Sequence, residues 1–287
     1  MKFSYSFFTL LAVLIGIAGS ASFLNGLRSL NVTIQAQDIL VENFNFNKPA
    51  LANVSSIPTK RTYYILDGAP PPPEIDARAY LLADLLTGDV LFQNNADTLY
   101  PIASVSKLVT AMTALDMRLP VSELFYPLLL TSSNQKAEEI AESSGRKNFI
   151  KSMNGFVARL GMIDTHFADP SGISAKNVSS ANDLLILSQH LYKKYPDLLS
   201  VTVLASKNGW LSNNLFVQKH EPDYLGGKSG YTPEAKGTLV AIFGLPMPWG
   251  ETRPIAIILL GTPSELGVKY ELAQSLLDYL KKYVYYR

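Results

Sequence analysis

The stretch "YLGGKSGYTPEAKGTLVAIFGLP", Tyr224–Pro246, decides the fold. Gly227, Lys228 and Ser229 stand in the order of a nucleotide-phosphate loop, whose backbone N–H groups cradle phosphates. Such a loop needs a further glycine five positions earlier and a helix after the hydroxyl residue. Position 222 is Pro222, and Ser229 is followed by Gly230, a turn-like "YTPEAKG" and the apolar run "TLVAIFG". The stretch therefore reads as strand and turn, with no nucleotide site. On a strand, alternate residues face the same way, so Lys228 and Gly230 can line one cleft, and the glycine lets another backbone come close.

Outward from this stretch, the run "RPIAIILLG" is a second strand, and "SELGVKYELAQSLLDYLKKYVYY" has the apolar spacing of a long terminal helix. Near the other end, "ARAYLLADLLTGDVLFQNNAD" from Ala77 gives two apolar runs about "LTGD", a hairpin. Helical patterns fill the middle. "PIASVSKLVTAMTALDMR" repeats Leu108, Val109, Met112 and Leu115 at helical spacing. "VSELFYPLLLTSSNQKAEEIAESSG" and "RKNFIKSMNGFVARLGM" read as helices too, and "SSANDLLILSQHLYKKYP" has a capping start and a proline stop. Strands at both ends with helices between predict an α+β fold. An antiparallel sheet forms from N- and C-terminal strands, the middle is helical, and the last helix packs on the sheet.

With 287 residues and 47% hydrophobic content, the chain can bury a core without crosslinks. A net charge of +1 offers no basic field for nucleic acid. Without cysteine there is no disulfide, zinc–thiolate site or cysteine nucleophile. His166, His190 and His220 lack metal-ligand spacing, no G-x-S-x-G elbow exists, and no cofactor is implied. Asn31, Asn53 and Asn177 begin glycosylation triplets of a kind frequent by chance. The first residues, "MKFSYSFFTLLAVLIGIAGSASFLNG", form an uncharged apolar run after one lysine. Residues 1–24 fit either a cleaved signal peptide or a retained membrane anchor, and in both cases the remainder is exported. Residues 25–75 read as a largely irregular linker ending in "GAPPPPE", with "RTYYILDG" a possible short strand. Residues 76–287 are the domain.

Three polar elements stand out. Ser104 and Lys107 in "SVSK" are spaced to share one helix face, so a neutral lysine could take the serine proton. Ser133 with Lys136 and Ser144 with Lys147 have the same spacing, but only Ser104 begins an apolar helix, whose N-terminus favours an oxyanion. Ser132 and Asn134 in "TSSN", with Lys228-Ser229-Gly230, complete the order Ser-x-x-Lys, Ser-x-Asn, Lys-Ser/Thr-Gly. That set belongs to penicillin-binding proteins and class A β-lactamases. The chain resembles the D-alanyl-D-alanine carboxypeptidase and endopeptidase family of low-molecular-mass penicillin-binding proteins. The likeness extends through "RAYLLADLLTGDVLFQNNADTLYPIASVSKLVTAMTAL", "THFADPSGISAKNVSSANDLLILSQHL" and "GGKSGYTPEAKGTLVAIFGLP".

The resemblance implies a β-lactamase/transpeptidase-like fold and hydrolysis of peptidoglycan stem peptides, with β-lactams as covalent inhibitors. It makes Ser104 the acylated nucleophile, Lys107 its base and Ser132 a proton relay. Asn134 would bind the substrate amide, and Lys228 and Ser229 its terminal carboxylate. Gly230 would admit the substrate closely, with the N–H groups of Ser104 and Tyr231 as the oxyanion hole. Where the family usually has Ser-Gly-Asn followed by Asp, this chain has Ser132, Ser133 and Asn134 followed by Gln135 and then Lys136, an extra cation beside the cleft. The spacer between Lys107 and Ser132 is also short, which predicts loss of a subdomain beside the cleft. The rival readings are a β-lactamase, for which Glu138, Glu139 and Glu142 are the acids at hand, and a non-catalytic wall-binding module.

Overall fold

The structure is a computed structural model and describes residues 62–247, 250–265 and 267–286. The apolar segment 1–24 and most of the linker lie outside them. Among the described residues no helix is long and apolar enough to cross a membrane.

In chain order the strands are β1 (Tyr63–Ile65), β2 (Ala79–Asp84), β3 (Val90–Asn94), β4 (Tyr100–Pro101), β5 (Val178–Ser179), β6 (Ser206–Lys207), β7 (Trp210–Leu211), β8 (Tyr224–Thr232), β9 (Lys236–Pro246), β10 (Thr252–Thr262) and β11 (Val284–Tyr286). The helices are α1 (Ser106–Asp116), α2 (Phe125–Leu130), α3 (Asn134–Glu142), α4 (Arg146–Arg159), α5 (Ala181–Lys194), α6 (Pro196–Val201), α7 (Leu215–Gln218) and α8 (Val268–Tyr283).

The central sheet has the order β3-β2-β10-β9-β8, with each neighbouring pair antiparallel. N- and C-terminal strands build it together, as the sequence predicts. Its inner strands are apolar on both faces because helices cover both. Leu81, Val240, Ile242, Ala256 and Ile258 join the core of the helical middle. Leu82, Leu239, Phe243, Ile255 and Ile257 pack with Leu276, Leu277 and Leu280 of α8. Strand alternation therefore sorts every residue of the edge strand β8. Lys228 lies opposite Val240, on the face of the helical middle, and Ser229 lies opposite Leu239, on the face of α8.

Two expectations need correction. The linker is expected to run to residue 75 with "RTYYILDG" as a possible short strand; that strand forms as β1, but it pairs with β11, and the Tyr63 hydroxyl donates to Asp84 at 2.5 Å. Residues from Thr62 onward thus belong with the folded body. The helix read through "VSELFYPLLLTSSNQKAEEIAESSG" is instead two, α2 and α3. Thr131 Oγ1 turns back to the Pro127 carbonyl at 2.8 Å, Ser132 takes a left-handed φ of 60°, and Ser133 caps α3 by accepting from the Lys136 N–H. Hydroxyl side chains that bond nearby backbone compete with helix continuation, and Thr131 and Ser133 on either side of Ser132 do so here.

Candidate active site

Ser104 sits in a single 3₁₀ turn, Ala103–Val105, immediately before α1, rather than inside the α-helix. Ala103 ahead of it has φ 47°, a conformation that costs a non-glycine residue on the order of 1 kcal/mol. The turn is held from two sides. The Ile102 N–H donates to the Asn177 carbonyl at 3.0 Å, and Thr238 Oγ1 of β9 donates to the Ile102 carbonyl at 3.0 Å. β8 runs beside it. A Cβ on Gly230 would lie 2.6 Å from the Ser104 nitrogen, so only glycine leaves that amide uncovered.

Lys107 is fully buried, and its Nζ donates to Ser104 Oγ at 2.8 Å, Asn134 Oδ1 at 2.7 Å and the Ser171 carbonyl at 2.5 Å. Burial lowers its pKa to about 8, against the opposing charge of Asp169, which raises it. Two of the three partners are pure acceptors, and a neutral amine has two hydrogens. When Lys107 is neutral those hydrogens stay with Asn134 and Ser171, and its lone pair is left facing the Ser104 hydroxyl. Because Oδ1 of Asn134 must face a donor, its Nδ2 is turned away from the lysine.

The partner loop is tightly specified. Asp169 accepts from the N–H groups of Ser171, Gly172 and Ser174 and from Ser171 Oγ. Burial would raise its pKa, but these four bonds outweigh burial and hold it below the usual carboxylate value. Asn177 is buried and uses both ends of its amide, accepting from the N–H groups of Ala168 and Asp169 and donating to Ser106 Oγ and the Asp169 carbonyl. Thr110 of α1 reaches the Pro170 carbonyl at 2.5 Å. Gly172, at φ 85°, abuts the Ala103 carbonyl where any Cβ would come within 1.9 Å. By sequence, "DPSG" stands out only as part of the family likeness, and Asn177 only as a chance glycosylation triplet. Their work is to present the Ser171 carbonyl to Lys107.

Lys228 is buried on β8 and donates to the Ser229 carbonyl at 2.7 Å. Burial, then the charges of Lys107 and Lys269, push its pKa well below the lysine value. Ser132 stands half-buried in the break between α2 and α3, and its hydroxyl makes no hydrogen bond among the described residues. Ser229 Oγ accepts from Tyr270 Oη at 2.8 Å, and the Tyr231 side chain is exposed.

The competing Ser-x-x-Lys pairs separate clearly. Ser133 is the cap of α3, and Lys136 pairs with Glu139 at 2.6 Å. Ser144 Oγ is buried without a partner, and Lys147 is exposed. His190 lies edge-on to Phe156 and Tyr195, in packing.

A sheet with a helical middle here carries a serine hydrogen-bonded to a buried lysine of lowered pKa. The profile of the D-alanyl-D-alanine carboxypeptidase family matches residues 67–118 and 113–243, and the chain belongs to that family. A D-alanyl-D-alanine endopeptidase of Escherichia coli (strain K12) is 35% identical over 157 residues, covering 43% of this chain and half of the enzyme's own length. The D-alanyl-D-alanine carboxypeptidase DacB2 of Mycobacterium tuberculosis is 27% identical over 74% of this chain and 84% of its own. Penicillin-binding protein D2 of Listeria monocytogenes, solved with cefotaxime bound, superposes with a TM-score of 0.65 at 24% identity, over 73% of this chain and 99% of that one.

Proposed function

We propose that the chain is a serine D,D-peptidase that cleaves D-alanyl-D-alanine bonds of peptidoglycan stem peptides through an acyl-enzyme on Ser104. The observation that carries this reading is the Lys107–Ser104 contact of 2.8 Å with Lys107 lowered to about 8. Near neutral pH a useful fraction of Lys107 is unprotonated and can take the Ser104 proton as Oγ attacks the carbonyl. The N–H groups of Ser104 and Tyr231 receive the developing oxyanion, and loss of one such donor typically costs about 100- to 1,000-fold. The peptide C–N bond breaks, and the leaving D-alanine amine takes the proton by way of Ser132. Water then attacks the ester, releasing the shortened peptide and restoring Ser104. Asn134 Nδ2 binds the substrate amide, and Lys228 supplies positive potential for the terminal carboxylate. The apolar N-terminal segment suits export to the wall, as signal or anchor, with β-lactams entering as covalent inhibitors.

A labelled penicillin tests this directly. A covalent adduct forms on the native chain, disappears in Ser104→Ala and survives in Ser133→Ala. No adduct on folded protein would overturn the acyl-enzyme. Turnover of a D-alanyl-D-alanine peptide, compared with a cross-linked muropeptide, assigns carboxypeptidase or endopeptidase action, and rapid penicillin hydrolysis instead would indicate a β-lactamase.

A further inference from the structure

Ser229 faces α8, away from the helical middle that carries Ser104 and Lys107. Its hydroxyl is gripped there by Tyr270, a buried residue of α8 that lies beyond the residues matched by the family. The Tyr270 ring is fixed edge-on to Phe216 at 5.0 Å between centroids. A tyrosine hydroxyl has one proton to give. Tyr270 gives that proton to Ser229 Oγ, 2.8 Å away. Ser229 is thereby made an acceptor toward α8, and its own proton is directed elsewhere.

The surroundings select what that proton meets. Lys228 precedes Ser229 on the strand, and Lys269 precedes Tyr270 on the helix, near enough for its charge to be felt at Lys228. Asp169, the buried acid beside Lys107, keeps its four bonds within its own loop and makes none to Ser229 or Tyr270 among the described residues. Two lysines thus adjoin the Ser229–Tyr270 pair along the chain, side chains that suit an incoming anion. We propose that Tyr270 is a positioning residue that orients the Ser229 hydroxyl as a donor toward the free carboxylate of a peptide bound along β8, and so sets the preference for a C-terminal acid over its amide. This rests on the D,D-peptidase reading for the site, but not on any chemical step there.

The test separates the two. In the Ser104→Ala background, binding of N-acetyl-D-alanyl-D-alanine and of its C-terminal amide is measured by calorimetry, with and without Tyr270→Phe. The parent prefers the acid, and Tyr270→Phe weakens acid binding roughly three- to tenfold while leaving the amide unchanged, the range for loss of orientation in one charged hydrogen bond. Adding Tyr270→Phe to Ser229→Ala produces no further loss. With Ser104 present, Tyr270→Phe raises KM for the acid peptide and keeps kcat. Equal loss for acid and amide, no loss for either, additive loss in the Ser229→Ala background, or a parent that does not distinguish acid from amide each overturns the proposal. Penicillin labelling of Ser104 is scored separately, so failure of the acyl-enzyme cannot be mistaken for failure of Tyr270. Unchanged melting of Tyr270→Phe, expected because the ring remains against Phe216, excludes a folding defect.

Discussion

Two buried charged clusters in this chain are built on opposite rules. At Asp84, fully buried on β2, every charge is answered. Arg253 grips the carboxylate, Tyr63 donates to it at 2.5 Å, and the N–H of Leu86 donates at 2.7 Å. The Tyr286 ring lies 4.6 Å under the guanidinium. This cluster joins β1, β2, β10 and β11, the two ends of the described chain. In the cleft, Lys107 and Lys228 are both buried, burial lowers the pKa of each, the charge of Lys107 lowers that of Lys228 further, and among the described residues no carboxylate hydrogen-bonds either one. A paired charge contributes structure, whereas a buried cation without an anion costs stability and is kept for chemistry. Lys107, lowered from 10.5 to about 8, carries a penalty on the order of 3 kcal/mol when protonated at neutral pH.

Breaking each cluster should give opposite signatures. Lys107→Met should slow penicillin acylation by about 100- to 10,000-fold, the range for loss of a general base, as read by stopped-flow labelling. Asp84→Ala should leave the Arg253 charge uncompensated and lower unfolding free energy by about 3–5 kcal/mol in denaturant titration, with the acylation rate of the folded fraction unchanged. Asp169→Asn should do some of both. It exposes unmet N–H groups in the loop, costing about 1–3 kcal/mol, and it removes the negative charge that holds the Lys107 pKa up. The acid limb of the acylation pH profile should then move to lower pH.

The pH dependence of stability sharpens the same contrast. A lysine whose folded pKa is depressed binds fewer protons folded than unfolded between the two values, so stability rises with pH across that window. From Lys107 the rise should begin near pH 8 and amount to at most about 1.4 kcal/mol per pH unit. Above pH 10 the half-buried Tyr63 and the buried Tyr224, whose raised pKa values keep them protonated in the fold, act in the reverse direction. Urea titrations from pH 8 to pH 10 should show the rise in the native chain and a smaller one in Lys107→Met. The smallest effect belongs to Lys136→Gln. Its ammonium is paired with Glu139 on a half-exposed helix face, so acylation and stability should change by less than about 0.5 kcal/mol.

Local signals carried the reading of Ser104 and Lys107 because residues three apart meet within one helical turn, whether that turn is 3₁₀ or α. The hairpin, the long strands and α8 were legible for the same reason: their periodicity is written in consecutive residues. The break at Ser132 was only half legible. Thr131, Ser132 and Ser133 signal a stop, but the apolar runs on each side suggest continuation, and the left-handed φ at Ser132 is not written in any spacing. Asn177 was read as a chance triplet because nothing in "NVSS" tells that both ends of its amide are used inside the loop beside α1.

By itself the sequence determined the class of fold, the three polar elements and the residues that could supply a nucleophile and a base, since each depends on neighbours in the chain. Only the tertiary structure decided what else meets the Ser104–Lys107 pair. Ser104, Asn134 and Ser171 reach Lys107 across separations of 3, 27 and 64 residues, and Tyr270 reaches Ser229 across 41. The burial that lowers Lys107 toward neutrality is likewise absent from the local sequence. It exists only once α1, the break before α3 and the Asp169 loop close over the amine and take it out of water.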